Sequence, residues 1–339
     1  MLMQNRKRFL KHGILVPESG QRPSGAHRDL VHDLAGVPVS PTQSAEQKFI
    51  REVSDTCAHT VLISSETLWP LLAVRAQAER LIGCLKSLDC EIVLVVYVRN
   101  QPQYMNSSYV QNVKTWLRAD EFPAFARRAL TQRAKYAYSH WMTFAERHEV
   151  ALLARPFSQA VRKSGVTQDF LATIGVTSTD GFDTAIERNV SVGPFSVEVA
   201  RTLGRRIGGP NKLTRPQADQ CRWAFRSELK KRQIEDRGYC GLTTSFAAEV
   251  EQRFAEDNSR FAQFAWGKPW SEVFASDVGR SFEPNDYLMT GVPADRRQLL
   301  GEVLASLEPQ IDAILSGSLL SDSNPKRWTL SALKNRFSC

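Results

Sequence analysis

Ile92-Val93-Leu94-Val95-Val96-Tyr97-Val98, closed by Arg99, is the longest apolar run in the chain. It has strand length, it is rich in β-branched residues, and no polar residue interrupts it. A run of that kind predicts a strand covered on both faces, as at the centre of a parallel sheet. Shorter apolar runs lie on either side: Val61-Leu62-Ile63, bounded by Ser64-Ser65-Glu66, and Val150-Ala151-Leu152-Leu153-Ala154, ending in Arg155-Pro156-Phe157. Helical patterns separate them, over residues 68–88, about 104–117 and about 122–147. Strand, helix, strand, helix is the order of a parallel βαβ arrangement, so the expected fold is α/β, a parallel sheet flanked by helices.

Working outward, residues 1–12 read as a helix closed at Gly13, with Pro17 following. Residues 17–41 are rich in Pro, Gly and Ser and read as a loop with room for one short helix; residues 43–56 are helical in pattern. Thr167 to Gly175 reads as a short helix closed by glycine. From about residue 195 the pattern is helical and amphipathic, with breaks at Gly208-Gly209-Pro210, Gly238 and Pro269. Residues 316–339 are polar and read as a mobile tail. No repeat and no linker is visible, so one α/β domain over 1–315 with a helical C-terminal portion is expected.

Of 339 residues, 42% are hydrophobic and 24% charged, an ordinary globular composition. No run approaches the ~18–20 apolar residues of a membrane span, so no stable membrane insertion is expected. The basic N-terminus carries no long apolar stretch of a signal peptide, which points to a cytoplasmic location. The six cysteines are scattered without C-x-x-C spacing, which reads as reduced thiols and neither a zinc site nor a redox motif. The net charge of +8 suits an anionic partner. Basic clusters occur at Arg6-Lys7-Arg8, at Arg205-Arg206 with Arg201 nearby, and at Lys230-Lys231-Arg232. None is interleaved with aromatics, so a nucleotide or anionic sugar is expected and a nucleic-acid partner is not.

Open parallel sheets bind ligands beyond the carboxyl ends of their strands. Two strand ends carry polar groups there. Arg99 emerges from the central run, and a guanidinium can hold a phosphate by two charge-assisted hydrogen bonds. Ser107 lies eight residues on, early in the next predicted helix, whose N-terminus adds N–H donors. Glu66 ends the preceding strand, and His59 lies at that strand's beginning.

The stretch Tyr97-Val98-Arg99-Asn100-Gln101-Pro102-Gln103-Tyr104-Met105-Asn106-Ser107-Ser108-Tyr109-Val110-Gln111 resembles the 3′-phosphate-binding segment of sulfotransferases, in particular a bacterial branch of that family. Val61 to Glu66, Gln168 to Gly175, and Phe254-Ala255-Glu256-Asp257-Asn258-Ser259-Arg260-Phe261 with Trp266-Gly267 resemble further segments of that branch, in the same order. The resemblance implies a P-loop nucleotide-binding fold and sulfuryl transfer from phosphoadenosine phosphosulfate to a hydroxyl or amine acceptor, possibly a small molecule or carbohydrate. It implies that Arg99 and Ser107 hold the donor's 3′-phosphate, with Glu66 as base and no metal. The family's phosphate loop, Lys-Thr-Gly-Thr-Thr-Ser in form, belongs before the helix that starts this chain and is absent from the sequence. A truncated, non-catalytic relative that acts by binding a partner, and a nucleotide-sugar transferase, are the alternatives.

Each residue also has a plainer reading. Arg99 is a structural arginine if it pairs with a carboxylate, and Ser107 is a helix cap or an ordinary first-turn serine. Glu66 caps the following helix if it lies in its first turn. Arg155, at the end of the third strand, is placed to reach an acceptor or to close the crevice. His27 and His32 lack the partners of a metal site. Asp257-Asn258 pack or cap a helix, and Trp223, Phe254, Phe261, Phe264 and Trp266 read as core.

Overall fold

The computed structural model of the protein describes residues 1–23, 25–37, 39, 44–116, 118–184, 192–209 and 212–318. The strands are β1 (Ile14–Leu15), β2 (Thr60–Val61), β3 (Val93–Val98) and β4 (Ala151–Pro156). The helices up to β3 are α1 (Arg6–Lys11), α2 (Arg28–Leu34), α3 (Ala45–Ser54), α4 (Leu68–Leu72) and α5 (Arg75–Lys86). Between β3 and β4 lie α6 (Gln101–Lys114), α7 (Phe122–Thr131), α8 (Arg133–Tyr136) and α9 (Ser139–His148). After β4 come α10 (Gln159–Ser164), α11 (Val166–Thr173), α12 (Pro194–Ile207), α13 (Arg215–Lys231), α14 (Thr244–Trp266), α15 (Trp270–Val273), α16 (Tyr287–Thr290) and α17 (Ala294–Leu315). The predicted start of α3 at residue 43, Pro210, and the predicted tail from residue 319 on lie outside the described residues.

The chain forms two compact units that interleave in sequence. One is Met1–Asn100 with Tyr136–Arg188 and Phe254–Val278; the other is Gln101–Lys135 with Asn189–Arg253 and Gly279–Cys339. All the described strands belong to the first unit. The α/β class with parallel strands and helices around them is what that unit shows. Residues 101–135, which lie between β3 and β4 in sequence, group with the helical stretch from about 195.

In the first unit β3 and β4 run parallel, in register from Val93 opposite Ala151 to Val98 opposite Pro156. β1 and β2 form a second parallel pair, Ile14 opposite Thr60 and Leu15 opposite Val61. β1 was not expected from the sequence: two residues are too short to carry a period. Gly13 before it sits at φ +70°, and a Cβ there would come within 2.3 Å of His59 Nε2, so both backbone and space call for glycine.

The expectation that β3 is a central strand covered on both faces is corrected. Among the described residues it pairs only with β4. Leu94, Val96 and Val98 enter a core shared with Leu30, Phe49, Leu81 and Trp141, whereas Val93 on the other face is 46% exposed and Leu153, opposite Val95 in β4, is 44% exposed. An unbroken apolar run shows that both faces tolerate burial; it does not supply the layer that buries them. In a parallel pair the N–H and C=O of alternate residues point to opposite edges. The carbonyls of Ile92 and Val98 accept from Ala151 N (3.1 Å) and Phe157 N (2.7 Å), so the backbone groups of Val93, Val95 and Tyr97 face the edge away from β4.

Two predicted helices are broken. The pattern over 68–88 divides because Val74 is extended at φ −97°, ψ 110°, and caps α5. The pattern over 122–147 divides into α7, α8 and α9, and the start of α9 is set by Asp257, buried at 6% exposure, which accepts from Tyr138 N at 2.7 Å and also bonds Ser139 N and Oγ. That carboxylate satisfies N–H groups that a continuous helix would have used, so a fresh helix starts at Ser139. The capping reading of Asp257 is the one the structure supports.

In the second unit α6, α12, α13 and α17 pack around Val113, Leu203, Phe225, Val303 and Leu307, all buried. Punctuation follows the sequence here: Gly208 ends α12 at φ +79°, and a Thr214–Gln217 capping box opens α13. No described helix is long and apolar enough to cross a membrane.

Candidate functional site

Arg99 leaves the carboxyl end of β3 held through its backbone. The Tyr138 hydroxyl accepts from Arg99 N at 3.2 Å and donates to Arg99 O at 2.7 Å. Tyr138 is fixed in turn by the Asp257 cap at its own N–H and by near-parallel packing on Trp270, ring centroids 5.9 Å apart. The Trp270 indole donates to Asn100 Oδ1 at 3.2 Å, which pins the residue that follows. Three side chains from distant parts of the sequence therefore set the direction in which the chain leaves β3.

The Arg99 guanidinium lies over the Phe157 ring, 4.0 Å from its centroid, a cation–π contact supplied by the residue just past β4. Arg162 stands 5.9 Å from the same centroid and pairs at 3.3 Å with Asp277, which is 2% exposed. The end of the β3–β4 pair is thus basic, and its buried carboxylate is already engaged.

Arg155, placed at a strand end to reach an acceptor or close the crevice, is engaged by a carboxylate of its own unit. Its guanidinium grips Asp169 of α11 with Nη2 to Oδ1 at 2.5 Å and Nε to Oδ2 at 3.2 Å, and Tyr97 donates to Oδ2 at 2.7 Å. The hydrogen bonds from Arg155 hold the Asp169 carboxyl below the usual range, with Tyr97 adding to the effect against burial. Burial, then the bond to Asp169, pushes the Tyr97 phenol up. Asp169 stood in the sequence only as part of a motif, with no sign that it fastens α11 to β3 and β4.

Glu66 lies in an exposed turn between β2 and α4 and carries no hydrogen bond or ion pair among the described residues. The ladder of β2 stops at Val61, so Glu66 stands beyond the strand end where the sequence placed it. Thr67 takes the N-cap position of α4, which leaves no acid in the first turn, so the capping reading of Glu66 does not hold. The chain between strand and turn is steered by His27. That residue is fully buried, its Nε2 donating to Pro17 O at 3.0 Å and its Nδ1 accepting from Ser64 N at 3.1 Å. Both nitrogens are used by the neutral ring, and burial depresses the imidazole pKa. His27 is a structural tie rather than a surface histidine.

Ser107 belongs to the second unit, whereas Arg99 and Glu66 belong to the first. The helix carrying Ser107 begins at Gln101, immediately after Asn100, and not near Tyr104. Ser107 therefore sits in the second turn, exposed, and not among the first-turn N–H groups. Asn100 and Gln101, at the junction of strand and helix, are both buried.

Among the described residues no group of three or more His, Cys, Asp or Glu is arranged to hold a metal ion. The described cysteines are free thiols, and Cys339 lies outside the described residues. Tyr138, Phe157 and Trp270 went unread in the sequence. Their partners are tens of residues away, and nothing local marks an aromatic that will meet a strand end. No family model, no curated protein and no solved structure matches the chain.

Proposed function

We propose that the protein transfers a sulfuryl group from phosphoadenosine phosphosulfate to a hydroxyl or amine acceptor on a P-loop-type α/β scaffold. The observation that carries this reading is the anchoring of Arg99. It is a strand-end arginine of a parallel pair, clamped through its backbone by Tyr138 and steadied by Phe157, at the end of the strands where such folds bind phosphate. The motif similarity around residues 97–111 is its sequence counterpart. In the reaction an acceptor oxygen or nitrogen attacks sulfur, and the bond from sulfur to the bridging oxygen breaks. Adenosine 3′,5′-bisphosphate leaves, and the acceptor proton passes to a base. Glu66, exposed and unengaged in the turn after β2, is the proposed base.

Titration of the protein with adenosine 3′,5′-bisphosphate tests the donor site. Loss of one charge-assisted hydrogen bond costs about 1.5–3 kcal/mol, so Arg99→Ala is expected to weaken binding by roughly 10–100-fold. The reading fails if the bisphosphate does not bind, or if Arg99→Ala binds as tightly as the unaltered chain.

A further inference from the structure

Trp223, which the sequence pattern assigns to a core, is 67% exposed on α13 of the second unit. The opposite face of that helix is well used: Cys221, Ala224, Phe225 and Glu228 are buried, and Phe225 meets Trp116 edge-on at 5.6 Å. The position of Trp223 is therefore a consequence of the helix's orientation and not of a loose helix. On the same face, one and two turns further on, stand Arg226 and Lys230, both exposed. Lys114, at the end of α6, lies close enough for Arg226 to disfavour its charge, though burial is the larger cause of its lowered pKa. None of Arg226, Lys230 and Lys114 has an ion pair among the described residues, whereas Arg222 beside them is neutralised by Asp219.

We infer that this face of α13 docks an acidic polysaccharide, a chain of carboxylated or sulfated sugars. The inference does not depend on the sulfuryl-transfer reading. An exposed indole offers an electron-rich apolar face, and the C–H bonds on one face of a pyranose are weakly positive and apolar, so one ring is platform enough for one sugar. The anionic groups that such a chain repeats meet the unpaired cations spaced along the helix. A lipid surface fits less well, because the exposed side of α13 offers no second large apolar side chain to insert. Single-stranded nucleic acid fits less well too, because successive bases call for successive aromatic platforms.

The test is titration of the intact chain with a labelled heparin oligosaccharide, with duplex DNA and phosphatidylserine vesicles in parallel. Trp223→Ala is expected to weaken heparin binding about tenfold, Trp223→Phe to retain most of it, and Arg226→Ala to weaken it and flatten its salt dependence. Unchanged thermal unfolding of the three variants shows that they fold. Heparin binding indifferent to Trp223→Ala overturns the inference, since charge alone then accounts for it. So does tighter binding of DNA or vesicles than of heparin that is lost in the same variants.

Discussion

Two imidazoles show how a single buried residue writes a pH dependence. His27 is buried between Pro17 and Ser64, and His140 is stacked on Trp69 with ring centroids 3.6 Å apart. Burial lowers both, His140 to about 4 from an ordinary 6.5. The unfolded chain therefore binds more protons than the native one between about pH 6.5 and 4. Their stabilisation is complete above pH 6.5 and is lost as the pH falls, by up to about 1.4 kcal/mol per pH unit for each histidine. Thermal midpoints are expected to drop between pH 7.5 and 5.5, and His140→Phe, which keeps an aromatic against Trp69, should shallow the decline. A midpoint indifferent to pH over that range contradicts the assignment. Neither role is legible in sequence: His27 looked like one of a pair in a Pro- and Gly-rich loop, and only burial shows that its nitrogens complete a backbone path. The place of Arg99 at the end of β3, by contrast, was legible, because the apolar run stops there.

At the scale of elements, β3 is informative for what it pairs with and what it does not. Its apolar composition identified the strand to within a residue, and the run ending at Ala154 identified β4. The burial of β3 was misjudged, because composition gives the tolerance of a face and not its occupant. The register makes a sharp prediction. Val96 N faces β4, whereas Val95 N faces the unpaired edge. Proline at position 96 deletes a ladder bond and leaves its acceptor unpaired, so Val96→Pro is expected to destabilise the chain by about 1–3 kcal/mol. Val95→Pro removes a donor that no described strand uses and should cost clearly less. Urea midpoints of the two variants decide it, and equal losses would mean that the edge is occupied in solution. The breaks at Val74 and at Tyr138 were beyond sequence reading for different reasons. The first is a local β-branched choice within an otherwise helical pattern, and the second depends on Asp257, 119 residues away.

At the scale of the whole chain, each unit is assembled from pieces that are not adjacent in sequence, and one buried arginine records this for the second unit. Arg201 of α12 pairs with Asp286 at 3.0 and 2.9 Å, bonds Glu198, and reaches the Tyr109 hydroxyl at 3.1 Å. Tyr239 donates to the same Asp286 at 2.7 Å. Burial opposes the charge on Arg201, yet its bonds to Asp286 and Glu198 more than offset that and keep it ionised. These residues come from all the stretches that build the unit. Arg201→Met strands two buried carboxylates and is expected to cost about 3–5 kcal/mol, read as a fall in denaturation midpoint with the slope unchanged. A loss under 1 kcal/mol would show that water reaches the cluster. The sequence marked Arg201 only as a neighbour of a basic cluster, since its acids lie at Glu198 and, far along the chain, at Asp286. The edge of β3 that no described strand pairs with has a last consequence, which concerns concentrated solutions. The apolar stretch Val93-Leu94-Val95-Val96-Tyr97-Val98 carries no charge and no proline, and one side of its backbone is a template for another strand. What opposes stacking of copies along that edge is the +8 net charge, a repulsion that reaches only about 8 Å at physiological salt. Colloidal stability then falls as salt rises, and the proline that blocks the edge, Val95→Pro, is the variant whose solutions stay clear in light scattering.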